Sequence, residues 1–593
     1  MNNKEESTLA SVSSTEQVSI TEAYKSWLAD ESIDNATKEE LRSIANDDKE
    51  IQDRFYKDLD FGTGGLRGVL GAGSNRLNIY TIRKATQGLA NYILASDAYQ
   101  PGMGIAIAHD SRHMSAEFSV ETALVLNANG IKTYTFDSLR PTPLLSFTVR
   151  HLNCIAGIVI TASHNPPEYN GYKVYWQDGG QCPSPRDEEI IAEVNKITTF
   201  SLAKTMKLES AVAQGLYNVV HPSVDDAFVE NVKAQSLNPH IAKESNIGIV
   251  FTPLHGAGNV LVQRTLREMG YTNIFVVKEQ EAPDGSFSTV GYPNPEDPKA
   301  FTLALELAHN KNADIVIATD PDCDRVGVAV KHDGEYVLLN GNMVGVILTE
   351  YIISQKKAAG TLPPNGAIIS TIVSTNMAKV ITQAHGLSYM EVLTGFKYIG
   401  EKIKQFEETG SHTFLLGFEE SYGYLVGTYS RDKDGVVASL LVCEAAAYYK
   451  SQGLSLYDVL QNLYKKYGRY QESIESITLK GVDGINDIQK IMAALRSQPP
   501  AAIAGADVTE IRDYKQGVIH NFADNKSKTT TLPKSDVLYY ATEDGSWACV
   551  RPSGTEPKIK IYFGARLAPD ATNADASAKL ALMISDILDR INE

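Results

Sequence analysis

A chain of 593 residues is too long for one hydrophobic core and calls for several domains, and its 43% apolar and 21% charged residues fit a globular protein. A formal charge of -17 argues against generalised nucleic-acid binding and against an anionic membrane surface, although an anionic small substrate responds to local charge and stays open. Five scattered cysteines without a CxxC read as reduced thiols; with no membrane-length apolar run and no signal-peptide h-region, the expected compartment is the cytoplasm.

Residues 1–57 read as an N-terminal extension. Its first 18 residues, rich in Ser, Glu and Asn, are expected to be disordered. A capping box at Thr37-Lys-Glu-Glu40 then opens a short helix through Leu41 and Ile44. Residues 58–221 form a first αβ domain. It contains a glycine-rich loop, Phe61-Gly-Thr-Gly-Gly-Leu-Arg67-Gly68, whose backbone can approach an anion while Arg67 offers a fork of donors. The loop lacks the Gly-Lys-Ser/Thr of a Walker A motif, and such a loop alone is more often a turn than a site. Two strands, Met103–Ala108 and Ile155–Ile160, run apolar into polar ends. The second breaks at Thr161-Ala-Ser163-His164-Asn-Pro166-Pro167, because the prolines forbid a continued strand or an immediate helix. Ser163 is thus freed at the carboxyl end of a core strand, where open α/β sheets bind ligands. A polar turn is the plainer alternative.

Residues 222–340 form the second αβ domain. Asn246–Phe251 leads into Thr252-Pro-Leu-His255-Gly-Ala-Gly258, and Ala313–Thr319 leads into Asp320-Pro-Asp322-Cys-Asp324-Arg325. Three carboxylates at alternate positions repel one another unless a cation sits among them, and hard oxygen ligands suit Mg²⁺. An EF-hand fails, because its Gly and Glu positions hold Arg325 and Lys331. A solvated acidic turn is the alternative, but it gives no reason for Arg325, which a phosphate explains. Cys323 is expected to point away from the cation. Residues 341–465, the third domain, hold the turn Thr394-Gly395-Phe-Lys397 and the strand end Gly417-Phe-Glu419-Glu420-Ser421-Tyr-Gly423. Adjacent carboxylates and a hydroxyl suit paired sugar hydroxyls, with a charged loop as the rival reading. Residues 466–593 change to short antiparallel strands with a closing helix, and between two strands lies Arg551-Pro-Ser553-Gly554-Thr555-Glu556. An arginine, two hydroxyls and glycine-freed amides make a phosphate nest.

These four motifs, in this order, resemble the α-D-phosphohexomutase family, most closely its longer phosphoglucomutase/phosphopentomutase branch, over about residues 55–590. The resemblance implies an α/β fold of four domains around a central cleft, three αβ domains of mixed sheet plus a C-terminal TBP-like α+β domain. It also implies a phosphoserine at Ser163 and Mg²⁺ held by Asp320, Asp322, Asp324 and a phosphate oxygen on Ser163. Arg67 and Arg325 would help the transfer. The general acid/base would be Lys173, His164 or Lys397, and the sequence does not choose among them. Thr394, Gly395, Glu419 and Ser421 would grip the sugar, and Arg551, Ser553, Gly554 and Thr555 the non-reacting phosphate. Closure of the last domain would keep a sugar bisphosphate from escaping.

The implied reaction interconverts glucose 1-phosphate and glucose 6-phosphate through glucose 1,6-bisphosphate, which also serves as activator, with mannose phosphates as a second activity. A phosphopentomutase or a sugar bisphosphate synthase of the same family is the alternative. A non-catalytic sugar-phosphate binding protein is the alternative of another class. A serine hydrolase lacks its Gly-x-Ser-x-Gly elbow, and a two-metal phosphatase lacks its His/Asp set. The expected partners are small-molecule sugar phosphates, not nucleic acid or membrane; the sequence leaves oligomeric state open.

Overall fold

A computed structural model describes residues 14–59, 61–62, 64–479, 481–553 and 558–592. The helix Ser14–Ala29 begins inside the stretch expected to be disordered. Ile20, Tyr24 and Trp27 recur at helical spacing and bury one face against Ile51, Phe55, Ala72 and Tyr80. Trp27 stands edge-on to Phe55, Tyr80 and Phe200, with centroids 5.0–5.8 Å apart, which anchors the extension to the first sheet's helices. The next helix, Asn35–Ser43, starts earlier than the capping box suggests. Its cap is Asp34, whose carboxylate accepts from Thr37 N at 2.9 Å. Glu40 is drawn instead to Arg54 and to Ala72 N. Two overlapping cap signals compete there, and the aspartate wins because Tyr80 also bonds it, at 2.7 Å.

The strands gather into four sheets. In the first, Ala156–Ile160, Gly104–His109, Lys132–Thr135 and Tyr217–Val219 run parallel, and Tyr169–Trp176 and Gly65–Val69 add antiparallel. Ala156–Ile160 is buried at every position, as its unbroken apolar run requires. The second sheet sets Ile315–Thr319 between parallel Ile249–Thr252 and antiparallel Val326–His332. In the third, Gly366–Thr371 lies between parallel partners Ser388–Val392 and Thr413–Phe418. The fourth is antiparallel and includes Arg469–Thr478, Lys558–Leu567, Trp547–Pro552 and Leu538–Thr542, with the helices Gly481–Ser497 and Asn573–Asn592 packed on it.

One apolar core runs through the first three units, from Leu144 and Phe147 through Phe228 and Phe251 to Leu440 and Tyr464. At its centre is Gly435–Lys450, a helix apolar on nearly every side and buried accordingly. The fourth unit has its own core around Tyr540, Phe563 and Ile587. It meets the third through a smaller cluster of Ile372, Val373 and Leu393 against Tyr514, Tyr539, Trp547 and Tyr562. Among the described residues no helix is long and apolar enough to cross a membrane.

Candidate functional site

Ser163 lies where the strand Ala156–Ile160 gives out, 3% exposed, with φ 52°, a left-handed backbone that a non-glycine residue adopts only when held. Its N–H donates to Thr161 Oγ1 at 2.8 Å, and its carbonyl accepts from Arg112 Nη2 at 2.7 Å. The hydroxyl so aimed donates to Asp320 Oδ2 at 2.6 Å, across 157 residues of sequence. The serine loop and the acidic loop therefore form one site.

Asp320, Asp322 and Asp324 are all buried, and their carboxylate oxygens gather within 4.8 Å of one another. The loop is fixed by its own backbone, since Asp324 N and Arg325 N both donate to Asp320 Oδ1. It is also fixed by glycines facing it. A Cβ on Gly256 would stand 2.5 Å from Pro321 Cα, and one on Gly435 2.6 Å from Cys323 O. Asp322 Oδ1 and Asp324 Oδ1 are buried without a hydrogen-bond partner. Orphaned carboxylate oxygens are costly, and converging orphans fit a hard cation.

The electrostatics agree. Burial pushes Asp320 well above the carboxylate range, and the charges of Asp322 and Asp324 push it further. Burial would raise Asp322 too, but Lys173, the hydrogen bond with Asp320 and Thr142 hold it low. Lys173 Nζ donates to Asp322 Oδ2 at 2.9 Å and lies 3.6 Å from Asp324. Burial opposes its charge, but the two aspartates hold its pKa above the usual lysine range. His164 Nδ1 is 3.3 Å from Ser163 Oγ; burial, then Arg325 and Arg67, hold the ring neutral. Arg67 donates to Asn165 Oδ1 at 3.2 Å, beside the serine. Arg325 pairs with Glu296 and lies 3.8 Å from Asp324, with its Nε buried and still without an acceptor.

Other expected residues fall in two further places. Gly395 N donates to Glu419 Oε1 at 3.1 Å, so Thr394-Gly395 and the Glu419–Ser421 loop are brought together. Burial raises Glu419, and it pushes Glu420, beside it, up to about 7. Lys397 pairs with Asp187 at 3.5 Å, whereas the lysines that pair with the three aspartates are Lys173 and Lys433. Arg551 lies opposite Lys560 on paired strands, and Ser553 N donates to Lys558 O at 2.7 Å. Burial pushes Lys560 down, with Lys558 and Arg551 adding to the effect and Glu296 and Glu420 opposing it. This basic cluster therefore lies within electrostatic reach of Glu296 and Glu420. Gly554 and Thr555 lie outside the described residues.

Several site residues escape a reading by motif. Lys433 Nζ sits 3.1 Å from Asp324 Oδ2 and 3.2 Å from Asp432 Oδ1. It is carried there by Asp434, which caps the central helix by accepting from Val436 N at 2.7 Å. The signal in sequence was that cap: Arg431-Asp-Lys-Asp-Gly435 ahead of an apolar helix. Thr142, the first residue of the helix Thr142–His151, donates to Asp322 Oδ2 at 2.9 Å, and Arg112 arrives from a loop; neither carries such a mark. Cys323 is fully buried against Gly258 and Gly435, and burial pushes its thiol well up, away from thiolate chemistry.

Models of the four phosphoglucomutase/phosphomannomutase domains match this chain: alpha/beta/alpha domains I, II and III at residues 58–201, 226–334 and 340–467, and the C-terminal domain at 490–581. A phosphoglucomutase of Staphylococcus aureus (strain MRSA252) is 36% identical over 541 residues, 91% of this chain and 94% of that protein. One from Staphylococcus epidermidis (strain RP62A) is 37% identical over 515 residues, 87% of this chain and 92% of that protein. Among solved structures, parafusin, a phosphoglucomutase from Paramecium, superposes with a TM-score of 0.66 at 18% identity, covering 91% of this chain and 96% of that one. A phosphoglucomutase/phosphomannomutase family protein from Burkholderia thailandensis gives 0.64 at 19%, covering 89% and 97%. At such identities the structures speak for the fold alone; the domain matches and the staphylococcal relatives carry the assignment, and the chain belongs to the phosphoglucomutase/phosphomannomutase family, the α-D-phosphohexomutases.

Proposed function

We propose that this chain is a phosphoglucomutase, interconverting α-D-glucose 1-phosphate and glucose 6-phosphate through a phosphoserine at Ser163 and a retained glucose 1,6-bisphosphate. Family membership and near full-length phosphoglucomutase relatives support the activity. The observation that carries the site is the Ser163 hydroxyl, bonded at 2.6 Å into a buried acidic cluster with two orphaned oxygens.

In the first half-reaction the 6-hydroxyl of glucose 1-phosphate attacks phosphorus on Ser163 Oγ. The P–O6 bond forms as P–Oγ breaks, the hydroxyl proton passes to a base, and Oγ takes up a proton. In the second half Ser163 Oγ attacks the 1-phosphate of the turned bisphosphate: P–Oγ forms as P–O1 breaks, Oγ gives up its proton and O1 takes one, so glucose 6-phosphate leaves and the phosphoserine is restored. Neutral His164, 3.3 Å from Oγ, is placed to take or return the serine proton. Lys173, Lys433 and Arg325 present positive charge to the transferring group. Asp320, Asp322 and Asp324, with an oxygen on Ser163, would hold Mg²⁺, which when bound neutralises charge on the phosphoryl group. Glu419, Ser421, Thr394 and Gly395 grip sugar hydroxyls. Arg551 and Ser553, joined by Gly554 and Thr555, hold the phosphate that is not reacting.

The test is a panel of glucose, mannose and pentose 1-phosphates with Mg²⁺ and the matching bisphosphate. Glucose 1-phosphate should turn over fastest and mannose 1-phosphate more slowly. Faster turnover of ribose or deoxyribose 1-phosphate would make the enzyme a phosphopentomutase. Tight binding of every sugar phosphate without turnover would make it a sensor.

A further inference from the structure

We propose that Arg112 is a positioning residue that fixes the nucleophile loop for phosphoryl transfer through its main chain, without touching the substrate. This rests on reading Ser163 as the phosphate carrier.

The loop from Ser163 to Tyr169 has a hydrogen-bonding problem. Its prolines, Pro166 and Pro167, have no N–H. Of its carbonyls, Pro166 O accepts from Tyr169 N at 3.1 Å and Glu168 O from Leu70 N at 2.8 Å, while those of Ser163 and Asn165, and of Tyr169 at the start of the next strand, look to a side chain. One guanidinium answers for four of them. Arg112 Nη1 donates to Pro166 O at 2.8 Å and Tyr169 O at 3.0 Å; Nη2 donates to Ser163 O at 2.7 Å and also to Asn165 O. A planar fork can serve converging acceptors in this way, and an ammonium with three donors on a flexible stem cannot. The arginine is itself held. Its side chain is fully buried, its Nε lies 3.4 Å from Asp110 Oδ2, and its own N–H donates to Asp110 Oδ1 at 2.9 Å. Asp110 Oδ2 also accepts from Thr161 Oγ1 at 2.6 Å, and that hydroxyl in turn accepts from Ser163 N. Both backbone polar groups of Ser163 thus end on the Asp110–Arg112 pair, which accounts for its left-handed φ.

The second αβ unit closes over the outer face. Phe287, fully buried, lies over the guanidinium, 5.0 Å from ring centroid to Cζ. The approach needs glycine at 285, where a Cβ would stand 2.7 Å from His113 N. The same segment sends Tyr292 to His164 and Glu296 to Arg325. A rigid support for the attacking oxygen is what a reaction dominated by orientation requires.

The experiment compares wild type with Arg112→Lys and Arg112→Ala, with kcat expressed per site that accepts labelled phosphate from glucose 1,6-bisphosphate. Arg112→Lys should lower kcat per phosphorylated site by about 10²-fold, with KM for glucose 1-phosphate changing less than about threefold. Guanidinium at tens of millimolar should restore part of the lost kcat in Arg112→Ala without raising its Tm, while equal sodium chloride should not. A residue that serves stability alone would lower Tm and the number of active sites but leave kcat per site unchanged. That result, or a lysine variant that does not fold, would overturn the inference. If wild-type Ser163 never takes phosphate, the nucleophile reading falls and this inference with it. If wild type takes it and Arg112→Lys turns over equally well per site, the inference about Arg112 falls alone.

Discussion

Asp320, Asp322 and Asp324 put three carboxylates within 4.8 Å in a buried loop, and among the described residues Lys173, Lys433 and Arg325 lie close enough to compensate. Replacing Asp322 by the amide of the same shape removes a cation ligand and the partner of buried Lys173 at once. Asp322→Asn should therefore lower turnover by about 10²-fold or more and also lower Tm, with the chain still folded. Activity and Tm measured together decide this, and full activity in excess chelator would remove the metal from the site. These residues were legible because the chemistry is written in one short stretch: alternating aspartates at a strand end, or a serine before two prolines. Lys433, Thr142 and Arg112 were not. Each enters by packing of a distant segment: the cap at Asp434 marks the helix start beside Lys433 but not the carboxylate that the lysine reaches, and a threonine after a proline carries no mark at all. The partner of Lys397 was hidden for the same reason: its sequence puts it after a glycine turn, and only the fold seats it on Asp187.

Strand ends were the most readable elements, because an unbroken apolar run such as Ala156–Ile160 admits one environment. The helix Asn35–Ser43 was readable in kind but not in its start, since two cap signals overlapped. Among these elements the strand Arg469–Thr478 carries an ionisable group at the joint between the third and fourth units. Burial pushes Glu472 up to about 7, against the hydrogen-bonding side chains of Thr375 and Asn342. Since an unfolded glutamate titrates near ~4.3, the folded chain binds the extra proton between those values. Stability therefore falls as pH rises from about 4.3 to 7 and is level above. Glu472→Gln should raise Tm relative to wild type at pH 8, by an effect of about 1–2 kcal/mol after allowance for solvent at the partly exposed side chain, and make no difference at pH 4.5. Thermal unfolding of both chains at the two pH values checks it; parallel shifts would show that the carboxyl is not held in a dry site. The hairpin that carries Arg551 makes a different prediction. On the proposed function Arg551 would grip the distant phosphate and so orient the reacting end, and Arg551→Ala should raise KM and also lower kcat, each by about tenfold. Steady-state kinetics with glucose 1-phosphate separate that from a change in KM alone.

Three αβ units share one core and a fourth has its own, joined to them by the smaller Tyr539–Trp547 cluster and by Arg512–Glu391 at 2.8 Å. That division places the serine, the carboxylates and the sugar loop on one body and Arg551 on another, an arrangement suited to closing over a bisphosphate while it turns. If bisphosphate escapes, the enzyme is left without phosphate, so activity should lag and recover on addition of glucose 1,6-bisphosphate. The most direct measurement is intact and peptide mass of the enzyme before and after that treatment, with single-turnover transfer to glucose 1-phosphate. One phosphate should map to Ser163, pass to the sugar at a rate no slower than kcat, and be absent together with activity in Ser163→Ala. An active enzyme whose Ser163 never carries phosphate, even after bisphosphate treatment, would contradict the account.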